Sequence, residues 1–266
     1  LIVLMKICTK QLIDALIIMI GQCLYGTIIC YPSPAGNDIR ARHHLKEDSI
    51  SWSFYNSISS LFAISGPFIS NKFLKFFNNS RKKTILVLSL FSIGFWLLNC
   101  LTKISIYLGL ITRALLGVVL GSYSSIDPIY LVEIAPEGLN GFFGCLNQIG
   151  IIIGLLLFDF VGPSLTYMEL NYLGSGLALL QFCLIWWVDE SPTVETLNNK
   201  KITEDEFDKD KRKLFQRKYA FGITFGILIM LLQQFCGINS ILTNLADLMD
   251  KSGFKIDGNY QGGITS

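Results

Sequence analysis

Long stretches without a charged side chain recur along the sequence and predict helices that cross a membrane. They occupy residues 15–37, 49–71, 84–102, 138–158, 170–188 and 219–246. Roughly 20 apolar residues in a helix span a bilayer core about 30 Å thick, so nearly every stretch is long enough. Because unpaired backbone groups are costly in hydrocarbon, helix is the only open-ended structure available. The pattern therefore predicts an all-α, polytopic membrane protein.

Seven spans are expected, near residues 11–31, 50–70, 84–102, 105–130, 142–162, 169–188 and 219–246. The fourth is the weakest by hydropathy, because Arg113 and Asp127 interrupt it. These spans predict a bundle of six helices over residues 1–188 and an inter-bundle loop over 189–218. Residues 219–266 would then hold the seventh helix and the start of an incomplete second bundle. We also expect a truncated product, since the chain starts at Leu1 instead of Met and ends soon after this helix.

Composition narrows the function classes further. Only 16% of the 266 residues are charged, against about 25% in an ordinary globular chain, and the mean hydropathy is +0.49. These values exclude a secreted disulfide scaffold, a nucleic-acid-binding protein and a water-filled enzyme core. The seven cysteines lie mostly within the apolar stretches and form no CxxC pair. They predict no metal site, and nothing in the sequence implies a cofactor.

The distribution of basic residues predicts the orientation in the membrane. With the amino terminus in the cytoplasm, 15 Lys and Arg residues lie inside and six outside, as the positive-inside rule requires. The inner set is Lys6, Lys10, Lys72, Lys75, Arg81, Lys82, Lys83 and the eight basic residues of 200–218. The outer set is Arg40, Arg42, Lys46, Lys103, Lys251 and Lys255.

Several motifs occur together, in one order and at one spacing. They are SRKKT (80–84), RALLGVVLGSYSSIDPIYLVEIAPEGLNG (113–141), CLNQIGIIIG (145–154), DESP (189–192) and QQFCGIN (233–239). The set resembles the sugar-porter family of the major facilitator superfamily. Residues 26–39 and 49–68 resemble its trehalose- and ERD-type branch. The resemblance implies about twelve spans in two six-helix halves around a midplane site, of which this chain supplies the first half and one further span.

Uncharged amides within the spans are the candidate substrate-binding residues. An amide offers donors and acceptors that suit a ring of sugar hydroxyls, and the resemblance places Gln148, Gln233, Gln234 and Asn239 on sugar-contacting positions of the family. The alternative for Gln148 is an interhelical hydrogen bond. On a straight helix Asn239 lies far from both glutamines, so we predict a break near Gly237 that turns it toward them.

One departure concerns the gate over the substrate. Many family members carry a tyrosine pair that closes over the sugar. This sequence has Thr243 and Asn244 there, which predicts a smaller and more polar gate and leaves the substrate open.

A second group of charged residues resembles the family's conformational latch. Arg81, Lys82 and Glu133 match residues that form ion pairs at the inner ends of the helices, and Arg113 matches the family's fourth-span arginine. Phe77, Ser80 and Asn140 depart from the usual Asp, Gly and Arg. We therefore expect a looser gate or a protein that does not cycle.

Asp127 is unusual for the family, and we expect its carboxylate to snorkel toward the cytoplasmic end of the fourth span, with Ser124 and Ser125 nearby. Proton-coupled relatives carry an acid in the first span. The matching residues 25–28 contain none, and the only acid of that span, Asp14, lies near its inner end. This predicts facilitated diffusion instead of proton symport.

The resulting hypothesis is a sugar carrier that transports a hexose or disaccharide by alternating access, in the plasma membrane, and that is not an enzyme. Its expected partners are the sugar and the lipid bilayer, with no nucleic acid. One alternative is a non-transporting relative or sensor. Another is a seven-helix receptor, which would require an outside amino terminus and so opposes the distribution of basic residues.

Overall fold

A computed structural model describes residues 2–46, 49–192, 194, 217–237 and 241, and these residues are overwhelmingly helical. Short 3-10 helices lie at the ends of the third, fifth and sixth predicted spans, at Cys100–Lys103, Gly162–Ser164 and Ile185–Trp187. The helices are α1 (Ile2–Cys30), α2 (Pro32–His43), α3 (Ile50–Ala63), α4 (Gly66–Phe76), α5 (Arg81–Asn99), α6 (Ile106–Ile134), α7 (Asn140–Val161), α8 (Tyr167–Leu184) and α9 (Arg217–Phe235).

Among the described residues, five helical segments are long and apolar enough to cross a membrane. They are Thr9–His43, Arg81–Lys103, Ile106–Ile134, Asn140–Ser164 and Tyr167–Trp187. These segments match the first, third, fourth, fifth and sixth predicted spans. The fourth, weakest by hydropathy, is one helix that runs through Pro128.

The second predicted span, 50–70, differs from the prediction because it is not one helix. α3 ends at Ala63 and α4 begins at Gly66. The Gly66-Pro67 pair explains the division, since proline has no amide hydrogen for a preceding carbonyl and is accommodated in the first turn of a new helix. Gly66 also lets α4 approach α6 closely, because a Cβ built there would lie 2.4 Å from the carbonyl carbon of Gly121.

The seventh predicted span appears as a shorter apolar helix, Ala220–Phe235. Its side chains from Ala220 to Cys236 are exposed. Most of the predicted 189–218 loop lies outside the described residues, so the division into two bundles with a loop between them stays a prediction.

α6 is the central helix of the bundle and explains how polar side chains become buried. It contacts α1, α3, α4, α5 and α7, and many of its residues are buried, including Arg113 and Asp127. Aromatic and aliphatic side chains from α1, α5, α7 and α8 complete the core around it. Arg113 and Asp127 of α6 therefore meet other helices instead of lipid or water.

Small residues bring neighbouring helices into backbone contact, as small-xxx-small patterns predict. A Cβ built on Gly154 of α7 would lie 2.1 Å from the carbonyl oxygen of Cys23 on α1. The Gly117 and Gly121 pair of α6 meets α3 in the same way. Gly222 and Gly226 of α9 have the same small-xxx-small spacing but differ from this expectation. A Cβ built on either glycine would meet nothing within 4 Å in the described part of the chain.

Candidate functional site

An ion pair joins the start of α5 to the end of α6. Arg81 is the first residue of α5, and Glu133 lies in the last turn of α6. The Arg81 guanidinium donates through Nη2 to Glu133 Oε1 at 3.3 Å and through Nε to Oε2 at 3.4 Å. The two side chains are 18% and 16% exposed, so the pair is partly shielded from water. The structure thus brings together two of the residues expected in the latch.

Two residues that the sequence analysis did not assign complete this cluster. Glu190 accepts hydrogen bonds from the backbone N–H of Arg81 at 2.9 Å and from the Ser80 hydroxyl. Ser191 donates to Glu133 at 2.6 Å. A carboxylate at a helix start is stabilised by the unpaired N–H groups there. The available sequence signal was the DESP motif (189–192), which directly follows the sixth span. We call Ser80, Arg81, Glu133, Glu190 and Ser191 the ion-pair cluster.

The remaining latch positions have other surroundings. The Lys82 ammonium donates to the backbone carbonyl of Trp186 at 2.8 Å, and no ion pair of Lys82 is present among the described residues. Ser80, which stands where the family has Gly, caps α5 by accepting from the backbone of the first turn. This substitution adds contacts to the cluster. Phe77 packs edge-on against its neighbouring phenylalanine, and Asn140 is exposed at the start of α7.

Arg113 is fully buried near the middle of the bundle. Its guanidinium donates to the backbone carbonyl of Ile28 at 2.8 Å and to the Ser59 hydroxyl at 3.0 Å. It also lies over the rings of Tyr31 and Tyr55, at 5.5 and 5.7 Å from their centroids. Within the described part of the chain no carboxylate pairs with Arg113. Cation–π contacts and neutral acceptors therefore stand where an ion pair was expected.

The expectation that Asp127 snorkels to the helix end is wrong, because its side chain is fully buried. Seven residues separate it from the last residue of α6, which is about 10 Å along the axis, and a carboxyl on one methylene cannot reach that far. Its Oδ2 accepts from the Gln22 side-chain amide on α1 at 3.2 Å. Ser124 and Ser125 donate to carbonyls of their own helix instead.

The candidate sugar-binding amides lie on α7 and α9. Gln148 is exposed on α7, and a Cβ built on Gly144, one turn earlier, would meet no described residue within 4 Å. Gln233 and Gln234 are exposed in the last turn of α9. Asn239 lies outside the described residues, so the assembly of the four amides into one site stays a prediction.

The end of α9 agrees with the break predicted near Gly237. The helix ends at Phe235, and Gly237 has a φ of +69°, a left-handed conformation that glycine adopts without steric cost. The polar gate residues Thr243 and Asn244 lie outside the described residues.

Near the start of α8, a separate cavity of about 420 Å³ lies between this helix and α2. Arg42 stacks over the Tyr167 ring at 5.5 Å, and the backbone N–H of Tyr167 donates to Asp38 at 3.3 Å. The described residues contain no group of three or more His, Cys, Asp or Glu placed to hold a metal ion.

Sequence comparison finds sugar transporters over most of the chain. Residues 31–204 match the family described as "Sugar (and other) transporter". Sugar transporter ERD6 of Arabidopsis thaliana is 27% identical over 232 residues, covering 76% of this chain and 46% of the relative. Sugar transporter ERD6-like 18 of the same plant is 27% identical over 280 residues, covering 94% and 58%. The chain therefore spans about half the length of these relatives.

Solved structures have the same fold. The D-xylose-proton symporter superposes with a TM-score of 0.74 at 20% identity, over 96% of this chain and 65% of that one. A partially occluded inward-open conformation of the xylose transporter XylE from E. coli gives 0.69 at 19% identity, over 90% and 66%. The fold and the family match confirm the resemblance carried by the sequence motifs. The chain is a multi-pass membrane protein that belongs to the sugar (and other) transporter family of the major facilitator superfamily.

Proposed function

We propose that the protein carries a hexose or a disaccharide across a membrane by alternating access. The observation that carries this proposal is the family match over residues 31–204. The bundle supplies a suitable conformational element, because the Arg81–Glu133 pair is only partly buried and can open to water at modest cost. Ion pairs of this kind bias a two-state equilibrium and are broken when the other state forms.

The proposed sugar site combines Gln148 of the first bundle with Gln233, Gln234 and Asn239 of the second. Each amide can donate to one hydroxyl and accept from another. Among the described residues Gln148 is exposed and Gly144 beside it has open space. This supports the assignment, since an amide that bridged two of the described helices would be buried against its partner.

The proposed mode is facilitated diffusion. The first span carries no acid at residues 25–28, and Arg113 is neutralised by no carboxylate in the described part of the chain. Its guanidinium instead contacts a carbonyl of that same span, at Ile28. Without an acid opposite the arginine, no carboxylate beside the sugar is available to bind and release a coupled proton. The mode predicts that sugar equilibrates across the membrane and that a pH gradient does not drive its accumulation.

Uptake by lipid vesicles that contain the purified protein tests the proposal, with labelled glucose and trehalose as probes. Removing an amide should weaken sugar binding by about 1–2 kcal/mol per lost pair of hydrogen bonds. The Gln148→Ala and Gln233→Ala variants should therefore need roughly 5- to 30-fold more sugar for half-maximal uptake. Asn147→Ala is the matched control, because Asn147 lies about 100° around α7 from Gln148. Uptake that both site variants leave unchanged would remove the site assignment.

A non-transporting sensor is the second candidate, and it is favoured by the departures at Phe77 and Asn140. It predicts that sugar binds to the purified protein with the same dependence on Gln148 but that vesicles take up none. We further propose a plasma-membrane location. The distribution of basic residues supports a cytoplasmic amino terminus.

A further inference from the structure

A set of polar side chains from three helices surrounds Asp127 inside the bundle. Tyr123 precedes it by one turn on α6, Gln22 lies on α1 and Gln181 on α8, and all four residues are buried. Gln22 donates both to Asp127 Oδ2 at 3.2 Å and to the backbone carbonyl of Tyr123 at 3.1 Å. The Tyr123 hydroxyl donates to Gln181 Oε1 at 2.7 Å. We call these four residues the Asp127 pocket.

Gly21 of α1 forms the remaining wall of the Asp127 pocket. A Cβ built on it would lie 2.2 Å from Asp127 Oδ2 and 2.7 Å from Gln181 Nε2. The carboxyl and the amide therefore converge on the same glycine from different helices. Any larger residue at this position would displace them, which makes the pocket a consequence of three helices packed closely together.

The polar atoms of the pocket are only partly satisfied. Asp127 Oδ1 and Gln181 Nε2 are buried and have no hydrogen-bond partner among the residues that the structure describes. Buried polar atoms are nearly always paired, so these two atoms mark a place where the hydrogen bonding is incomplete. A carboxyl in its acid form gains a donor, and the Gln181 amide can turn to present an acceptor.

No cation balances the Asp127 carboxyl among the described residues. On α6 the neighbouring titratable groups are Tyr123 and Tyr130, and on α8 Cys183 is exposed. The other ionisable side chains described on the surrounding helices are Lys10, Asp14, Cys23, Tyr25 and Cys30 on α1, Tyr55 on α3, the exposed Lys72 and Lys75 on α4, Arg81, Lys82 and Lys83 on α5, Tyr107, Arg113 and Glu133 on α6, Cys145 and Asp159 on α7, and Tyr167, Glu169 and Tyr172 on α8. Asp14 is a like charge about 12 Å along α1 from Gln22. None of these groups forms an ion pair with Asp127.

We propose that the Asp127 pocket is a proton-binding site, in which the carboxyl is held as a neutral acid between α1, α6 and α8. An ionised carboxylate that is taken out of water without a cation is far more costly than the neutral acid. The proton is released when these helices part enough to admit water. The site differs from the acid that proton-coupled relatives carry in the first span, because it lies on the fourth span.

Proton release opposes the packing seen here, and this fixes the direction of the pH effect. The neutral acid fits between the three helices, whereas the carboxylate requires water or a cation. Raising the pH therefore loosens the contact of α1 with α6 and α8, and lowering it holds them together. A proton that binds and leaves on the same side changes the rate of transport without driving accumulation, so the inference is compatible with facilitated diffusion.

Infrared difference spectroscopy on the full chain in lipid nanodiscs tests the protonation directly. At neutral pH the wild type should show the carbonyl stretching band of a protonated carboxylic acid, and this band should fade as the pH is raised. Asp127→Asn should lack the band, and Asp14→Asn should keep it. The proposal would be overturned if the wild type showed no acid band at neutral pH, or if its band remained unchanged in Asp127→Asn. Should the variant fail to fold, the double variant Asp14→Asn/Asp159→Asn labelled with carbon-13 aspartate gives the same decision, because Asp127 is then the remaining aspartate that is buried among the described residues.

Thermal stability in detergent supplies a second readout. The wild type should lose stability as the pH rises above neutral, while Asp127→Asn keeps a flat profile over that range; identical profiles would contradict the proposal. A third readout, the pH dependence of sugar uptake, rests on the proposed function. The wild-type uptake rate should change several-fold with pH, and Asp127→Asn should remove this change. The spectroscopic measurement needs no sugar, so its failure is distinguishable from a failure of transport.

Discussion

At the scale of single residues, the buried charged residues of α6 show which features hydropathy predicts and which it does not. Arg113 and Asp127 are visible in the sequence as interruptions of an apolar stretch. The surroundings of these two residues are not visible in the sequence. The rings over Arg113 belong to Tyr31, which directly precedes α2, and to Tyr55 on α3, and both are distant from Arg113 in sequence. For Asp127 the decisive neighbour, Gln22, is 105 residues away. Long-range packing, which local patterns do not contain, decides between a buried and a snorkelling carboxyl.

Replacing Arg113 by lysine should destabilise the protein. A lysine ammonium cannot contact the Ile28 carbonyl and the Ser59 hydroxyl with the fixed geometry of a guanidinium, nor stack as well on two tyrosines. We expect a loss of about 2 kcal/mol, measured as a lower thermal unfolding temperature in detergent. Arg42→Lys is the control, because Arg42 stacks on Tyr167 at an exposed site and should change stability by less than about 1 kcal/mol. Equal effects of the two substitutions would contradict this account of Arg113.

At the scale of helices, the prediction succeeds where a span is one continuous helix and fails where it is not. The first, third, fifth and sixth spans follow from their apolar stretches alone. The division between α3 and α4 was marked by Gly66-Pro67, but window hydropathy averages over such a pair and does not register it. The cap of α5 by Ser80 was also missed, although it is a local contact with Lys83. The docking of Glu190 on the first turn was missed because that contact joins residues 109 positions apart.

Close helix packing predicts a contrast between two glycines of α7. Gly154→Ala places a methyl group 2.1 Å from the Cys23 carbonyl oxygen, which must push α1 and α7 apart. Overpacking of this kind costs about 1–3 kcal/mol. In the described part of the chain, the methyl group of Gly144→Ala meets nothing within 4 Å, and the substitution should stabilise the helix by up to about 1 kcal/mol. Thermal unfolding of both variants checks the prediction, and a Gly154→Ala protein as stable as the wild type would refute the packing.

The Arg81–Glu133 pair should show measurable coupling. In a double-mutant cycle with Arg81→Ala and Glu133→Ala, we expect a coupling energy on the order of 1 kcal/mol, since the pair is bidentate and partly shielded. The matched cycle with Lys82→Ala and Glu133→Ala should give about zero, because Lys82 donates to a backbone carbonyl instead. Equal coupling energies in the two cycles would show that Glu133 attracts nearby positive charges without a specific partner.

At the scale of the whole molecule, composition and the distribution of basic residues predict class and topology, and the motif set identifies the family. The proposed sugar site is less accessible to prediction because it would join two bundles, and one of its four amides, Asn239, lies outside the described residues. Gln148 and Gln233 can be assigned by motif, but only a complete site fixes which hydroxyls they contact.

The proposed orientation has a direct consequence for glycosylation. Asn78-Asn79-Ser80 is an acceptor sequon, but a cytoplasmic position would keep it unmodified. Expression in a eukaryotic secretory pathway should therefore leave Asn78 without a glycan. Glu47→Asn creates a matched sequon with Ser49 in the loop predicted to lie outside, and that variant should gain one. A glycan on Asn78 would reverse the orientation.

The central claim is alternating access to a sugar site, and exchange across a vesicle membrane tests it most directly. A carrier that returns loaded faster than empty takes up labelled sugar more rapidly when the vesicle already contains unlabelled sugar. We predict that preloading vesicles containing the purified protein accelerates the initial uptake of labelled glucose or trehalose. Uptake no faster than that of protein-free vesicles, with or without preloading, would contradict the account.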